Sequence, residues 1–331
     1  ESAQIRLVLA DLQKQEGNTE DAIKNVSIAF EEPSLDVDSK IQLLAEFRSS
    51  INKADLQDLS LTLAQKLTEV HPDVADAHAV YGDILYAIGK KNEARKSYEK
   101  ALTIDESNFA LWQNTLQILF ELNKLDSVIV VSENALEVFP NQGALYYFNG
   151  SANLQKRNYE EASMMLEQGK RLSTSNLGLV SAFNSMLGDA YNGSKEYDKS
   201  DRAFEAALDY DPENYAVLNN FSYYLALRKD KLDKAEKMSA KTVKDNPENA
   251  TFIDTYAWVL FMREKYKEAK KVMEKAFETG NVSAVHYEHY GDILYKLGDV
   301  DGAVEQWQKA KGLNPNAELI DKKISDRKLY E

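Results

Sequence analysis

The feature that most constrains this chain is an internal repeat. The near-identical stretches YGDILYAIGK and YGDILYKLGD begin at Tyr81 and Tyr290, 209 residues apart, which is six periods of 34 with five residues over. The prolines keep nearly the same period: gaps of 68, 72, 35 and 68 residues separate Pro72, Pro140, Pro212, Pro247 and Pro315, and Pro33 lies 39 residues before the first of these. A fixed period of this length indicates an array in which each repeat is one supersecondary unit.

Each period contains two amphipathic helices, here called helix A and helix B. In the range 75–108, helix A is predicted over DAHAVYGDILYAIG and helix B over NEARKSYEKALTI, because apolar and small residues recur at helical spacing. Gly89 and Gly298 stand where helix A is predicted to end, a position that favours glycine. The prolines follow helix B, where a missing N–H does no harm. The chain has 14 glycines and 6 prolines, few enough to favour an all-α protein.

These residues resemble the tetratricopeptide repeat. That family places a bulky residue, a Leu-Gly-like pair and an aromatic on helix A, then two alanines flanking an aromatic on helix B, and a closing proline. The range 284–317 supplies Tyr287, Tyr290, Gly291, Leu294, Ala303, Trp307, Ala310 and Pro315. The range 181–214 supplies Asn184, Leu187, Gly188, Tyr191, Ser200, Phe204, Ala207 and Pro212. The resemblance implies an α–α superhelix, a solenoid of helix–turn–helix repeats.

The alignment gives about nine repeats over 1–317. Their ranges are 3–36, 37–74, 75–108, 109–142, 143–178, 181–214, 215–249, 250–283 and 284–317. Four extra residues fall near 177–180 and one near 229–231. The second repeat is degenerate, and we expect looser packing where Leu116, Val128 and Ser200 replace smaller residues. Residues 318–331 are predicted to form a polar capping helix, as an open solenoid end requires. No equivalent cap precedes the first repeat, so we expect further repeats upstream or self-association through that end.

Composition excludes several function classes. The chain has 54 acidic and 40 basic residues, a net charge of −14, which disfavours nucleic acid, including RNA binding by a related helical-hairpin repeat. It has no cysteine, so thiol chemistry and cysteine-ligated zinc are excluded. No apolar run approaches the roughly 18 residues of a membrane span. No P-loop, dinucleotide-binding glycine motif or G-x-S-x-G elbow occurs. We therefore expect no cofactor and no enzyme activity.

One group of residues supports an alternative, a metal-dependent or other catalytic module carried on the array. His286, Glu288, His289 and Asp292 lie close together on one helix A, and imidazole with carboxylate can hold zinc. The competing interpretation, that two histidines happen to share a helix start, is favoured because neighbouring repeats offer no further convergent ligand.

The favoured function is a scaffold that binds a protein or peptide partner. In the resembling family helix A lines the concave groove that holds the partner. Carried onto this sequence, that groove is lined by Asp83, Tyr86, Gln113, Gln117, Phe120, Tyr147, Ser151, Asn219, Tyr223, Asp254, Trp258, Phe261, Glu288, Asp292 and Tyr295. Exposed aromatics beside carboxylates fit a partner with apolar and basic residues. Domains of this family that grip a C-terminal carboxylate use Lys, Arg and Asn at these positions, of which only Asn219 is present, so such a clamp is disfavoured.

A finer resemblance bears on location. The segments NNFSYYLA, DTYAWVLF and ELIDKKI resemble exported repeat proteins of Bacteroidetes-type bacteria. This resemblance implies a periplasmic or outer-membrane-associated protein, with a cytoplasmic one as the alternative. On this interpretation the chain is a mature fragment from which a signal peptide or lipid anchor has been removed.

Overall fold

A computed structural model of the protein describes residues 3–16, 18–32, 35–48, 54–315 and 318–330. Pro33 lies outside these ranges, as does Ile51 in the predicted second repeat. The described residues form nineteen helices and two compact units, Glu1–Leu172 (unit 1) and Ser173–Glu331 (unit 2). Among the described helices, none combines the length and apolar character that crossing a bilayer requires.

Within each unit the helices follow one another in antiparallel pairs. Unit 1 contains α1 (Ala3–Gln15), α2 (Thr19–Glu31), α3 (Val37–Arg48), α4 (Ala54–Val70), α5 (Ala75–Ala87), α6 (Lys91–Ile104), α7 (Phe109–Glu121), α8 (Leu125–Val138), α9 (Gly143–Gln155) and α10 (Tyr159–Leu172). Unit 2 contains α11 (Leu177–Gly193), α12 (Tyr197–Tyr210), α13 (Tyr215–Leu227), α14 (Leu232–Asp245), α15 (Ala250–Met262), α16 (Tyr266–Glu278), α17 (Ala284–Lys296), α18 (Val300–Leu313) and α19 (Glu318–Asp326). Odd-numbered helices are the A helices and even-numbered helices the B helices.

Local sequence sets where the A helices begin and end. Asn108, Asn176, Asn214 and Asn249 cap the N-termini of α7, α11, α13 and α15, their side-chain oxygens accepting from backbone N–H groups of the first turn. The turn after each A helix from α5 to α17 contains a residue with positive φ. These residues are Gly89, Asn123, Arg157, Lys195, Lys229, Glu264 and Gly298. Glycine supplies the left-handed conformation in only two of the seven turns, so the turn itself, rather than glycine, is the repeating feature.

The residues in excess of the period have identifiable places. The four extra residues near 177–180 lengthen α11 to 17 residues, whereas α13, α15 and α17 have 13 each. The single extra residue near 229–231 falls in a turn where both Lys229 and Lys231 have positive φ.

The apolar faces of neighbouring pairs form the interior of each unit. In unit 1 one cluster joins side chains of α1 to α5 and another those of α5 to α9. In unit 2 one large cluster runs from Phe204 of α12 to Ile293 of α17, and a second joins α17, α18 and α19. Each pair is thus sealed by the pairs beside it.

Helices A and B of a repeat pack closely because a small residue on helix A faces a large ring on helix B. A Cβ on Gly188 would stand 2.5 Å from the ring of Phe204, and a Cβ on Gly291 the same distance from Trp307. In the fourth repeat Leu116 takes the glycine position, and Ser132, sixteen residues later, takes the ring position. Leu116 and Val128 are both fully buried, so the large and small residues have exchanged helices there. In the sixth repeat the Ser200 hydroxyl donates to the carbonyl of Gly188 at 2.8 Å.

Candidate functional site

The A helices of unit 2 pack side by side and present one row of side chains. α11 contacts α13, α13 contacts α15, and α15 contacts α17. Counted from the start of each repeat, the fifth, sixth and ninth residues of successive A helices meet in this row. The sixth residue of one A helix reaches back to the fifth and ninth residues of the A helix before it. Three such contacts determine the electrostatics of the face.

The contact at the C-terminal end is an ion-pair cluster. The Lys323 ammonium of α19 lies 2.9 Å from Glu288 Oε1 and 2.9 Å from both carboxylate oxygens of Asp292. Lys323 is 2% exposed, and Trp307 Nε1 also donates to Asp292, at 2.8 Å. Burial raises the pKa of Asp292, and the nearby ammonium offsets only part of that increase. The predicted capping helix α19 therefore occupies the place of a further A helix and is anchored there by charge.

The next contact joins α17 to α15. His289 Nδ1 lies 2.9 and 3.0 Å from the two carboxylate oxygens of Asp254, and both side chains are buried. The imidazole also stacks on the indole of Trp258, with ring centroids 4.0 Å apart. Burial alone would lower the pKa of His289, but the carboxylates of Asp254, Asp292 and Glu288 together more than offset this, and the net pKa is raised. The pair is a hydrogen-bonded, stacked bridge between two A helices.

The third contact, between α11 and α13, lacks a positive charge. Asn220 Nδ2 donates to Asp189 Oδ1 at 3.5 Å, and the Tyr224 side chain is a second hydrogen-bond partner of this carboxylate. Burial raises the pKa of Asp189 to about 6, partly offset by these two neutral donors. Asn219, beside Asn220, donates from Nδ2 to Asn220 Oδ1 at 3.4 Å.

Tyr223 lies between these contacts and is half-buried. Burial, and then the charges of Asp254 and Glu288, raise the pKa of its hydroxyl. Charges on α15 and α17 therefore act on a tyrosine of α13. Tyr295, further along α17, is also half-buried, with its ring centroid 6.0 Å from that of Trp307.

Unit 1 has its own cluster on the A-helix face. Glu121 accepts hydrogen bonds from the Tyr86 hydroxyl at 2.7 Å and from Gln117 Nε2 at 2.8 Å, and it pairs with Lys91 at 2.8 Å. Bonds from Gln117, Lys91 and Tyr86 lower the pKa of Glu121 to about 2. A small cavity of about 60 Å³ beside this cluster is lined by Tyr86, Tyr98, Asn114, Gln117 and Ile118. Glu121 was not predicted as a site residue.

Models of the tetratricopeptide repeat match residues 75–108 and 182–214, ranges that coincide, within one residue, with the third and sixth predicted repeats. The chain contains tetratricopeptide repeats at these two ranges. A TPR repeat-containing protein of Methanocaldococcus jannaschii is 25% identical over 303 residues, covering 76% of this chain and 52% of the relative. The chain spans at most about half the length of the curated relatives it matches.

One solved structure shows the same fold. The APC/C hetero-tetramer Cut9–Hcn1 matches with a TM-score of 0.55 and 13% identity, covering 98% of this chain and 69% of that chain. A tetratricopeptide repeat protein from Parabacteroides merdae matches with a TM-score of 0.45 and 17% identity, covering 87% of this chain and 99% of that chain. The all-α class predicted from the period is confirmed.

The tetratricopeptide repeats place the predicted groove residues in three different environments. Exposed or half-buried on the A-helix face are Asp83, Tyr86, Gln113, Gln117, Phe120, Tyr147, Tyr223, Glu288 and Tyr295. The buried polar residues of this set are Ser151, Asn219, Asp254 and Asp292. Buried in an aromatic stack are Trp258 and Phe261.

The expectation that Trp258 and Phe261 are exposed aromatics is wrong. Trp258 is 8% exposed and Phe261 is 5% exposed, and their rings stack with centroids 4.8 Å apart. His289 covers the indole of Trp258. These rings hold α15 against α17, because stacked aromatics bury a large apolar area.

Two predicted acidic residues have a role within their own helix pair. The Tyr98 hydroxyl donates to Asp83 at 2.5 Å, as Trp307 Nε1 does to Asp292. In both repeats the acid is the ninth residue and its donor lies fifteen residues later on helix B. The recurring Gly-Asp pair of helix A is thereby explained: the glycine admits the ring and the aspartate bonds its polar end.

The predicted metal ligands are held by other partners. His286 Nδ1 accepts from the Ser283 backbone N–H at 3.1 Å, His289 pairs with Asp254, and Glu288 and Asp292 pair with Lys323. Over the described ranges, no group of three or more His, Cys, Asp or Glu side chains is arranged to hold a metal ion. The geometry gives the alternative of a metal-dependent module no support. The absence of enzyme activity and of a cofactor stays a prediction.

Proposed function

We propose that this chain is a scaffold that binds a protein or peptide partner along the A-helix face of unit 2. The observation that carries the proposal is the packing of α13, α15 and α17 side by side, with the half-buried Tyr223 on their shared row of side chains. This tyrosine offers apolar area and a hydroxyl at one place, and the charges of Asp254 and Glu288, each held by a basic residue of the next helix, reach it. Such residues dominate binding energy in protein interfaces, because they bury much area with little loss of side-chain entropy.

The partner suited to this face has apolar anchors and basic side chains. The face is acidic, and the whole chain carries a net charge of −14, so opposite charge would speed encounter with a basic partner. Tyr295 extends the aromatic surface along α17, and Tyr86, Gln117, Phe120 and Tyr147 offer a second set in unit 1. The similar Cut9–Hcn1 structure is itself an assembly of different chains.

We further propose that the chain acts in the periplasm or at the outer membrane, with the cytoplasm as the alternative, and that it self-associates. Self-association through the N-terminal end would use α1, on which Ile5, Val8 and Leu12 are exposed. These three residues share one stripe of the helix.

A photo-crosslinking experiment tests the binding face. Benzoylphenylalanine replaces Tyr223 in one variant, and in a matched control it replaces Tyr210, which is 47% exposed on helix B of the same unit. Each variant is irradiated in extract of the native cell, and adducts are identified by mass spectrometry. We expect a discrete protein adduct from position 223 and none from position 210. Equal labelling from both positions, or none from 223, would refute binding at this face.

A further inference from the structure

The cluster around Lys323 shows how this fold satisfies an acidic ninth residue of helix A. The ammonium of Lys323, the sixth residue of its repeat, contacts both oxygens of Asp292, which lies 31 residues earlier. It also contacts Glu288, 35 residues earlier. His289 makes the corresponding contact with Asp254 at the same separation of 35 residues. In both cases the following A helix supplies a basic side chain.

Asp189, like Asp292, is the ninth residue of its repeat, but among the described residues no cation is paired with its carboxylate. The residue 31 positions later is Asn220, whose amide donates at 3.5 Å. Burial raises the pKa of Asp189 to about 6, and no cation within the described residues contributes to lowering it. The carboxylate is half-buried on the A-helix face, with only neutral hydrogen-bond donors.

A second acceptor is left open beside it. Asn219 is 6% exposed, and within the described part of the chain its Oδ1 atom accepts no hydrogen bond. Its own amide donates to Asn220, which in turn donates to Asp189. The hydrogen-bond chain thus runs from Asn219 through Asn220 to the carboxylate. A group with several N–H donors and a positive charge would pair with the Asp189 carboxylate.

We propose that Asp189, with Asn219 and Asn220, forms the site for a lysine or arginine side chain of the bound partner. The Asp189 carboxylate would pair with the partner's cation as the Asp292 carboxylate pairs with the Lys323 ammonium. It is suited to cations and would repel a carboxylate. This inference rests on the proposed scaffold function and names the partner chemistry that the face would select.

The probe is a set of acetylated, amidated peptide pools that differ at one central position. That position is Lys, Arg, Gln or Leu, and the flanking positions are randomised over uncharged residues. Retention on the immobilised full-length chain is measured by mass spectrometry. We expect the Lys pool, the Arg pool or both to be retained about ten-fold better than the Gln pool, the effect of one charge-assisted contact. The two cationic pools show whether an ammonium or a guanidinium fits better.

Three variants make the test specific. Asp189→Asn should abolish the preference for cationic pools without harming folding, because it removes a buried charge. Asn220→Lys should abolish it too, by filling the site from within as Lys323 does. Asp209→Asn makes the same change of charge at an exposed position of α12 and should keep the preference. Circular dichroism checks that all variants stay helical.

The outcomes separate this inference from the scaffold function. Retention without a cationic preference, or a preference that survives Asp189→Asn, overturns the Asp189 site while peptide binding stands. Retention of no pool by the wild-type chain overturns the site and counts against peptide binding by this face.

Discussion

Replacing Lys323 with methionine tests whether charge, rather than apolar contact, anchors the last helix. The substitution keeps a long unbranched side chain but removes the ammonium that contacts Glu288 and both oxygens of Asp292 at 2.9 Å. Among the described residues, Asp292 then keeps one side-chain hydrogen-bond donor, Trp307 Nε1. The variant leaves a buried carboxylate without its counter-charge.

The size of the effect follows from burial. Lys323 is 2% exposed and Asp292 is 3% exposed, so solvent screens the pair little. Removing one partner of a buried ion pair costs about 3–5 kcal/mol. This loss reduces the free energy that holds α19 against the preceding helices. A loss of about 3 kcal/mol corresponds to roughly 150-fold faster opening-limited exchange, since 1.36 kcal/mol is a factor of ten.

The pH dependence of the loss has a definite sign. Burial already raises the pKa of Asp292, and loss of the ammonium would raise it further. An acid with a raised pKa in the folded state costs stability as pH rises through that pKa. Protonation relieves this cost, so the destabilisation by Lys323→Met should become smaller as the pH is lowered through the raised pKa of Asp292.

The assay is hydrogen exchange followed by mass spectrometry on peptides covering α19 and α17. Lys322→Met is the matched control, because Lys322 is exposed on the same helix. We expect fast exchange in α19 for Lys323→Met, wild-type exchange for Lys322→Met, and partial recovery when Asp292→Asn is added. Equal exchange in both lysine variants, or a loss independent of pH, would refute the electrostatic anchoring of α19.

Three further predictions follow from the same structure. Gly188→Ala should destabilise the packing of α11 and α12 by about 1–3 kcal/mol, because the new Cβ would stand 2.5 Å from a ring of α12. Gly312→Ala, where the Cβ would stand in open space, should stabilise α18 by up to about 1 kcal/mol. Hydrogen exchange that changes in the same direction at both sites would contradict this pair of predictions. Gly298→Ala should cost about 1 kcal/mol in thermal melts, because φ is 88° there; an unchanged melt would contradict it. Because the pKa of His289 is raised, its contribution to stability should fall as pH rises above about 6.5, and Asp254→Asn should flatten that slope in melts across pH.

The fold could be predicted because it is encoded locally and repeated. The period, the amphipathic pattern and the turn residues each recur, so errors in one repeat are corrected by the others. The extra residues near 177–180 could be predicted because an insertion shifts the register of everything after it, and the helix that contains them, α11, has 17 residues. The division into two units after Leu172 was not predicted. The repeats on both sides carry the same pattern, so periodicity contains no signal for it.

The site was predicted less well, because helix position does not determine what a side chain contacts. Trp258 was placed on the A-helix face correctly by position, yet it is buried. Its exposure depends on His289, which lies 31 residues later and stacks on it. A usable signal was nevertheless present in the sequence: Lys323 follows Asp292 by 31 and Glu288 by 35 residues. Reading pairs at those two separations would have found the ion-pair cluster.

The pairing of side chains between successive A helices also limits the chemistry of a partner that this chain can bind. An acidic fifth or ninth residue contributes to binding only where the next repeat leaves it without a cation, so Asp189 is available and Asp292 is not. Tyr223 is the ninth residue of the repeat after that of Asp189, and α11 packs directly on α13. Packed helix axes lie about 8–10 Å apart, and an extended peptide advances about 3.3 Å per residue. A peptide crossing these helices would therefore carry its cation and its apolar anchor about three residues apart. Pools that combine Lys with Leu at that spacing should be retained better than pools in which the two are adjacent, and equal retention would exclude an extended peptide lying across α11 and α13.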